Sequence, residues 1–191
     1  MEPYIYECEN CLSREICNEI ICLLKKEFCN KMILNFNYIT HSDNLIRTNE
    51  IVDIIYDIIT KHVDLYANNI QIPDINNIIH KPVNPKTIFK TCFQINKITN
   101  DASLDTKLTY DNFIIDNCFT NKLTFILYLN DIFDGGETAF INGINITPKS
   151  GKLLIFPTYW NYAYKENNLL RKIDEKYIIK GFLYENKYYI K

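Results

Sequence analysis

The sequence predicts a mostly β protein with helices in its N-terminal part, which is an α+β fold class. Apolar residues in the first part of the chain recur every three or four positions, whereas apolar and polar residues alternate after residue 88. Turn signals separate the short apolar runs of the second part, a pattern typical of a sandwich or barrel. We therefore expect an N-terminal helical part, 1–88, that packs on a β core, 89–191, within one compact domain.

Two amphipathic helices are predicted in the N-terminal part. Ser13 can cap the first helix, and Thr48 begins the second. Their apolar faces are formed by Cys17, Ile20, Ile21, Leu24 and Phe28 in the first helix and by Ile51, Ile54, Ile55, Ile58 and His62 in the second. The segment 71–86 contains prolines that break regular structure, and it is predicted to be irregular.

The β core is predicted from apolar segments and the turns between them. Phe89–Asn96 alternates in polarity, and Leu123–Leu129 is a continuous apolar run suited to a buried strand. Asn142-Gly143 predicts a hairpin, because a tight two-residue turn needs positive φ at both central positions. The last two predicted strands are Leu153–Phe156 and Tyr177–Tyr184.

The charge balance gives no electrostatic reason to expect nucleic acid or a membrane surface as a partner. The formal net charge is −2, and no basic stripe is present. No apolar run approaches the roughly 20 residues that span a bilayer. Isoleucine, asparagine, lysine and tyrosine are frequent, a bias that suggests an AT-rich genome of the viral or protist kind.

The cysteines indicate a reducing compartment such as the cytoplasm. There are seven, an odd number, and no secretory signal precedes them. Cys8 and Cys11 have the spacing of half a zinc site. Because no second pair has suitable spacing, incidental thiols are the favoured interpretation and a zinc site the less favoured one.

One stretch in the β core is specific enough to indicate a family. Asn121–Asp131 followed by Gly135–Phe140, which reads Gly-Gly-Glu-Thr-Ala-Phe, resembles the middle of prolyl 4-hydroxylase-like oxygenases dependent on 2-oxoglutarate and iron(II). Further pieces follow in family order: Pro148-Lys149-x-Gly151, Phe156-Pro157, Trp160 and Lys176-Tyr177-Ile178. The resemblance covers about half of the chain and implies a double-stranded β-helix, or jelly-roll, core.

The resemblance also implies a site. The family holds iron(II) with two histidines and one carboxylate. Asp111 matches the carboxylate position, but Thr109 and Tyr164 stand where the histidines are expected. Lys176 matches the residue that pairs with the distal carboxylate of 2-oxoglutarate, with Thr124 as a hydrogen-bonding partner. A surface lysine near a strand start is an equally weighted alternative for Lys176.

The three histidines of the chain are not expected to replace the missing ligands. His41-Ser42-Asp43 spells the family's His-x-Asp pattern, but it lies about 70 residues ahead of Asp111 and is interpreted as a loop decoy. His62 falls on an apolar helix face, where a core histidine is the common case. His80 lies in the proline-punctuated segment.

Three functions remain open on these grounds. The favoured one is a degenerate oxygenase, a pseudoenzyme or binding module that takes a peptide, a protein partner or 2-oxoglutarate without turnover and need not carry a metal. The second is an active protein hydroxylase with a non-standard iron site, with iron(II) and 2-oxoglutarate as cofactors. The third is a jelly-roll binding or structural virion module.

Overall fold

A computed structural model of the protein describes residues 4–26, 31–34, 44–69, 88–99, 107–112, 114–115, 119–171 and 174–186. Within these ranges the chain forms two α-helices, α1 (Arg14–Lys26) and α2 (Asn44–Asn69), and ten β-strands. The strands are β1 (Tyr6–Cys8), β2 (Lys31–Leu34), β3 (Ile88–Thr99), β4 (Ile114–Ile115), β5 (Phe119–Tyr128), β6 (Thr138–Phe140), β7 (Asn145–Ile146), β8 (Leu153–Pro157), β9 (Tyr164–Glu166) and β10 (Glu175–Asn186).

The described strands form two antiparallel sheets. The larger sheet has the order β1-β8-β5-β10-β3-β2, and β4 adds to β5 outside this path. The smaller sheet has the order β7-β6-β9. The predicted class, mostly β with N-terminal helices, is therefore confirmed.

The larger sheet has one face on the helices and the other on the smaller sheet, because successive side chains of a strand point to opposite faces. Residues of α1 and α2 pack with Phe125, Leu127 and Ile179 in one buried cluster. The intervening residues, among them Ile126 and Ile178, pack with side chains of the smaller sheet in a second cluster. The molecule thus has three layers, and the space between the two sheets is distinct from the helical side.

The two helices agree with the predicted apolar faces. The hydroxyl of Ser13 accepts a hydrogen bond from the backbone N–H of Ile16 at 3.3 Å, as expected of a cap. Helix α2 begins at Asn44, so the predicted start at Thr48 was wrong by one turn. Threonine is tolerated inside helices as well as at caps, and it does not fix a boundary by itself. Neither helix combines the length and hydropathy that crossing a bilayer requires.

The predicted hairpin forms, but with a different turn. Strands β6 and β7 pair with Thr138 opposite Ile146. Gly143 has φ +88°, whereas Asn142 is not in the left-handed region. The backbone N–H of Phe140 donates to the carbonyl of Ile144 at 2.8 Å, so three residues, 141–143, rather than two lie between this hydrogen-bonded pair. The Asn142 side chain accepts the N–H of Ile144 at 3.3 Å, which shows how asparagine serves this turn without positive φ.

Several predictions lie outside the described residues. They concern Phe28, the irregular segment 71–86, His41-Ser42-Asp43 and His80. The division into 1–88 and 89–191 also stays a prediction.

Candidate functional site

The segment that carries Asp111 is held against both sheets by hydrogen bonds from backbone and side-chain groups. Thr109 and Tyr164 exchange two of them, each N–H lying 2.8 Å from the other residue's carbonyl. The hydroxyl of Thr109 donates to the same Tyr164 carbonyl at 3.3 Å. On the other side, the side-chain amide of Asn121 donates to the Asp111 carbonyl at 2.6 Å. These contacts fix the Asp111 side chain between β5, β9 and β10.

The carboxylate of Asp111 has three hydrogen-bonding partners. Its Oδ2 accepts hydrogen bonds from the hydroxyls of Tyr164 at 2.8 Å and Thr124 at 3.0 Å. Its Oδ1 accepts a hydrogen bond from Nζ of Lys180 at 3.0 Å. The Asp111 side chain is only 13% exposed, so the pairing takes place largely out of water. One ammonium and two hydroxyl groups therefore satisfy this carboxylate.

Tyr164 is a neutral phenol in this arrangement. Burial raises its pKa well above the ordinary value, and the negative charge of Asp111 raises it further. The ammonium of Lys180 lies 5.1 Å from the centre of the Tyr164 ring, within the range of a cation–π contact. The neutral phenol therefore donates a hydrogen bond to Asp111, and its ring also faces the Lys180 ammonium.

Lys176 lies in a second polar cluster. Its side chain is 1% exposed, which excludes the alternative of a surface lysine. Its Nζ donates to the carbonyl of Gly136 at 2.6 Å and forms an ion pair with Oε2 of Glu166. The hydroxyl of Thr138 donates to the same carboxylate at 3.0 Å, and the hydroxyl of Tyr128 donates to Thr138 at 2.7 Å. Glu166 is thus the acceptor on which this cluster converges.

Both clusters border one small cavity of about 190 Å³. Its lining includes Thr109, Tyr164, Glu166, Leu169, Ile178 and Lys180. Lys176, Ile178 and Lys180 alternate along β10 and share its inner face. The two lysines are four residues apart, or about 13 Å along a strand that rises about 3.3 Å per residue.

The structure brings together three of the predicted site residues and separates a fourth. Asp111, Thr124 and Tyr164 meet directly, and Thr109 joins them through the backbone. Lys176 is bound by Glu166 instead. Sequence reasoning missed Lys180 and Glu166. The even spacing of Lys176 and Lys180 on a predicted strand could have placed both on one face.

Comparison with known proteins was informative at the level of structure alone. No protein-family model matches the chain, and no curated protein matches its sequence. Among solved structures, the viral collagen prolyl hydroxylase from Paramecium bursaria Chlorella virus-1 is similar, with a TM-score of 0.67 and 18% identity over 96% of this chain and 90% of that one. A prolyl-4-hydroxylase from Pseudomonas putida has a TM-score of 0.58 and 11% identity, covering 95% of this chain and 92% of that chain. NgTET1 in complex with 5mC DNA has a TM-score of 0.59 and 14% identity, covering 96% of this chain and 72% of that chain.

The fold is that of the 2-oxoglutarate- and iron(II)-dependent oxygenases. The sequence resemblance to this superfamily is therefore confirmed as a resemblance of fold. In this oxygenase-like fold, Asp111 and its partners lie between the two sheets. His62, the one histidine that the structure describes, lies instead on α2 in the helical layer, where its Nδ1 is 2.8 Å from the Tyr6 hydroxyl.

His62 takes part in a separate cluster that the sequence did not predict. Ligand atoms of Cys8, Cys11 and His62 lie within 4.8 Å of one another, which makes the trio a possible metal site. The spacing of the two cysteines was visible in the sequence. The histidine lies 51 residues beyond Cys11 and on another element. Only the packing of α2 beside β1 brings the three residues together.

Proposed function

We propose that the protein is a degenerate prolyl 4-hydroxylase-like protein, in which a jelly-roll fold is kept but its own side chains fill the positions of metal and cosubstrate. It acts as a binding module for a peptide or protein partner and not as a hydroxylase. The observation that carries the proposal is the pairing of Asp111 with the Lys180 ammonium and the hydroxyls of Thr124 and Tyr164.

The donor groups around Asp111 do not fit iron(II). An oxygenase centre of this superfamily needs two imidazoles and a carboxylate on one face of the metal. Among the described residues, Asp111 meets hydroxyl groups and an ammonium but no imidazole. An iron ion bound to this carboxylate would have to displace Lys180 or accept a second positive charge close by.

The lysine that is expected to bind 2-oxoglutarate is already paired with a carboxylate of this protein. Lys176 was predicted to pair with the distal carboxylate of the cosubstrate. The carboxylate of Glu166 already takes that ammonium together with the Thr138 hydroxyl. An incoming dicarboxylate would compete with Glu166 and would be repelled by its charge, which supports a protein without bound cosubstrate.

An anaerobic titration tests the metal part of the proposal. Purified protein is titrated with iron(II) and 2-oxoglutarate, and the visible charge-transfer band of a chelated complex is monitored. We expect no band and no release of carbon dioxide or succinate once oxygen is admitted. Iron-dependent decarboxylation of 2-oxoglutarate that disappears in Asp111→Ala would overturn the proposal and favour the active hydroxylase.

A second experiment tests whether Glu166 blocks the cosubstrate position. Calorimetry should detect no binding of 2-oxoglutarate to the wild-type protein. Glu166→Ala frees Lys176 and Thr138 for a carboxylate, so its affinity should rise at least tenfold. Asp134→Ala removes an equal charge from an exposed pair with Arg171 and should leave binding unchanged. Equal affinity in wild-type protein and Glu166→Ala would contradict this part.

Exposed aromatic and apolar side chains support a peptide or protein as the partner. Leu108 and Tyr110 flank Thr109 and are 49% and 57% exposed. Trp160 follows β8 and is 73% exposed. Tryptophan and tyrosine are enriched where proteins bind one another. In a pull-down, we expect Tyr110→Ala to capture less of a partner peptide than the wild type. Phe133→Ala, which removes an exposed aromatic ring elsewhere, is the control and should capture as much as the wild type.

A further inference from the structure

Three ligand atoms of the kinds that bind zinc in proteins lie together on the helical side of the larger sheet. The thiols of Cys8 and Cys11 and a ring nitrogen of His62 are all within 4.8 Å of one another. Cys8 ends β1, Cys11 lies in the loop before α1, and His62 is on α2. The cluster therefore joins three separate parts of the chain.

We propose that Cys8, Cys11 and His62 bind one Zn²⁺ ion, with water or an exogenous ligand in the fourth position. Thiolate and imidazole are the usual zinc ligands, with bonds of about 2.3 Å to sulfur and about 2.0–2.1 Å to nitrogen. Such bonds place tetrahedral ligand atoms about 3.5–3.8 Å apart. The observed separations need only a small inward rotation of side chains to reach that geometry.

The backbone already holds the two cysteines in the turn that a chelate needs. Asn10, between them, has φ +57°, a left-handed conformation that tightens the turn. The N–H of Cys11 donates to the carbonyl of Gly151 at 2.8 Å and attaches the turn to the sheet. The thiol of Cys11 donates to the carbonyl of Cys8 at 3.3 Å, which holds the Cys11 side chain close to the end of β1.

The histidine is held in place in a comparable way. The Tyr6 hydroxyl lies 2.8 Å from Nδ1 of His62, and the two rings are 5.8 Å apart. Partners of this kind fix the orientation and tautomer of ligating histidines in metal sites.

A metal in this position would tie the N-terminal strand to the helical layer. Strand β1 has three residues and pairs with β8 from Tyr6 to Cys8. Such a short edge strand gains little from its own ladder. A zinc ion would add a bond between its end and α2, and its binding free energy would stabilise the folded state.

Cobalt(II) is the probe for the test, because it takes zinc positions and reports its ligands by colour. The full chain is reduced, freed of metal and titrated with cobalt(II). We expect one equivalent to bind, with sulfur-to-cobalt charge transfer, tetrahedral visible bands and displacement by zinc. Failure of the reduced wild-type protein to bind close to one equivalent would overturn the proposal, including the case where the two cysteines prefer a disulfide.

Variants locate the binding. Cys8→Ser, Cys11→Ser and His62→Gln should each weaken cobalt binding at least tenfold, whereas Cys22→Ser removes an exposed cysteine of α1 and should bind like the wild type. Zinc should raise the Tm of the wild type and of Cys22→Ser but not of Cys8→Ser. Cys8 is partly exposed, so its substitution keeps the test decisive if the buried His62 variant fails to fold. Unchanged affinity in Cys8→Ser and Cys11→Ser would place the metal elsewhere and refute the assignment.

Discussion

Asp111 and Lys180 form an ion pair that is largely shielded from water. Their side chains are 13% and 24% exposed, and the Oδ1–Nζ distance is 3.0 Å. Taking two charges out of water is expensive, and their attraction repays this only when the remaining hydrogen-bonding positions are filled. The hydroxyls of Thr124 and Tyr164 fill them on the carboxylate. The pair is therefore more sensitive to loss of one partner than to loss of both.

A double-mutant cycle measures this sensitivity. Asp111→Asn or Lys180→Met alone should destabilise the protein by up to about 3–5 kcal/mol, the loss typical of a buried pair that has lost one partner. The double variant should lose less than the sum, because no uncompensated charge remains. Urea unfolding of the four proteins gives the coupling. The Arg171–Asp134 pair, exposed at 56% and 48%, is the control and should contribute less than about 1 kcal/mol. If the losses in the free energy of unfolding of the two single variants simply add in the double variant, Asp111 and Lys180 do not interact as a shielded ion pair.

At this scale the sequence predicts positions better than partners. The order of motifs placed Asp111, Thr124 and Tyr164 in one site, and the structure brings them within hydrogen-bonding distance. It did not predict that Lys180 and Glu166 would satisfy the charges of the site. A lysine or glutamate on a strand can lie on either face, and the face follows from a register that local sequence does not fix.

Strand β10 is the element on which both polar clusters depend. It pairs with β3 on one side and β5 on the other, so Gly181 lies opposite Phe93 and Phe125. A Cβ built on Gly181 would lie 2.4 Å from an atom of the Phe125 ring and 3.0 Å from Cβ of Phe93. The missing side chain leaves room for the phenylalanine ring beside it, in the middle of the sheet.

Gly181→Ala should therefore destabilise the protein through overpacking, by about 1–3 kcal/mol. The comparison is Gly143→Ala in the β6–β7 turn. A Cβ built on Gly143 would have no heavy atom within 4 Å beyond its chain neighbours, so only the positive φ opposes the substitution. The latter should lose about 1 kcal/mol. Denaturant midpoints of both variants test the difference. An equal or smaller loss for Gly181→Ala would mean that the Phe125 ring moves aside readily.

Elements were predictable where periodicity is strong and less so at their ends. The apolar run 123–129 corresponds to the central strand β5, and the faces of α1 and α2 agree with the observed core. The start of α2 and the turn at Asn142 differ from prediction because threonine and asparagine serve several local structures.

For the whole molecule, the three layers separate two sites with different chemistry. The Asp111 and Glu166 clusters lie between the two sheets, whereas Cys8, Cys11 and His62 lie where β1 meets α2. The sequence could predict the layers from its change of period, since helices and strands bury different patterns. It could not predict the second site, because that site depends on how a helix packs beside an edge strand far away in the chain.

The burial of His62 predicts how the stability of the metal-free protein depends on pH. Burial lowers the pKa of this imidazole, and the neighbouring positive charge of Lys61 lowers it further. Below its ordinary pKa of about 6.5, the unfolded chain binds a proton that the folded protein still refuses. The contribution of the neutral His62 imidazole to the free energy of unfolding is therefore fully present above about pH 6.5. It is lost as the pH falls through the lowered pKa of the folded state.

Urea unfolding of metal-free protein between pH 7.5 and 5 tests this dependence, with a chelator present throughout. As the pH is lowered, the free energy of unfolding of the wild type should decrease more steeply than that of His62→Gln, because glutamine does not titrate. The other ionisable groups are common to both proteins, so their effects cancel in the difference. Parallel pH profiles for the two proteins would show that the imidazole is protonated as readily in the folded state as in the unfolded one. In that case helix α2 would not shield His62, and the packing of α2 against β1 would be looser than the contact between Tyr6 and His62 indicates.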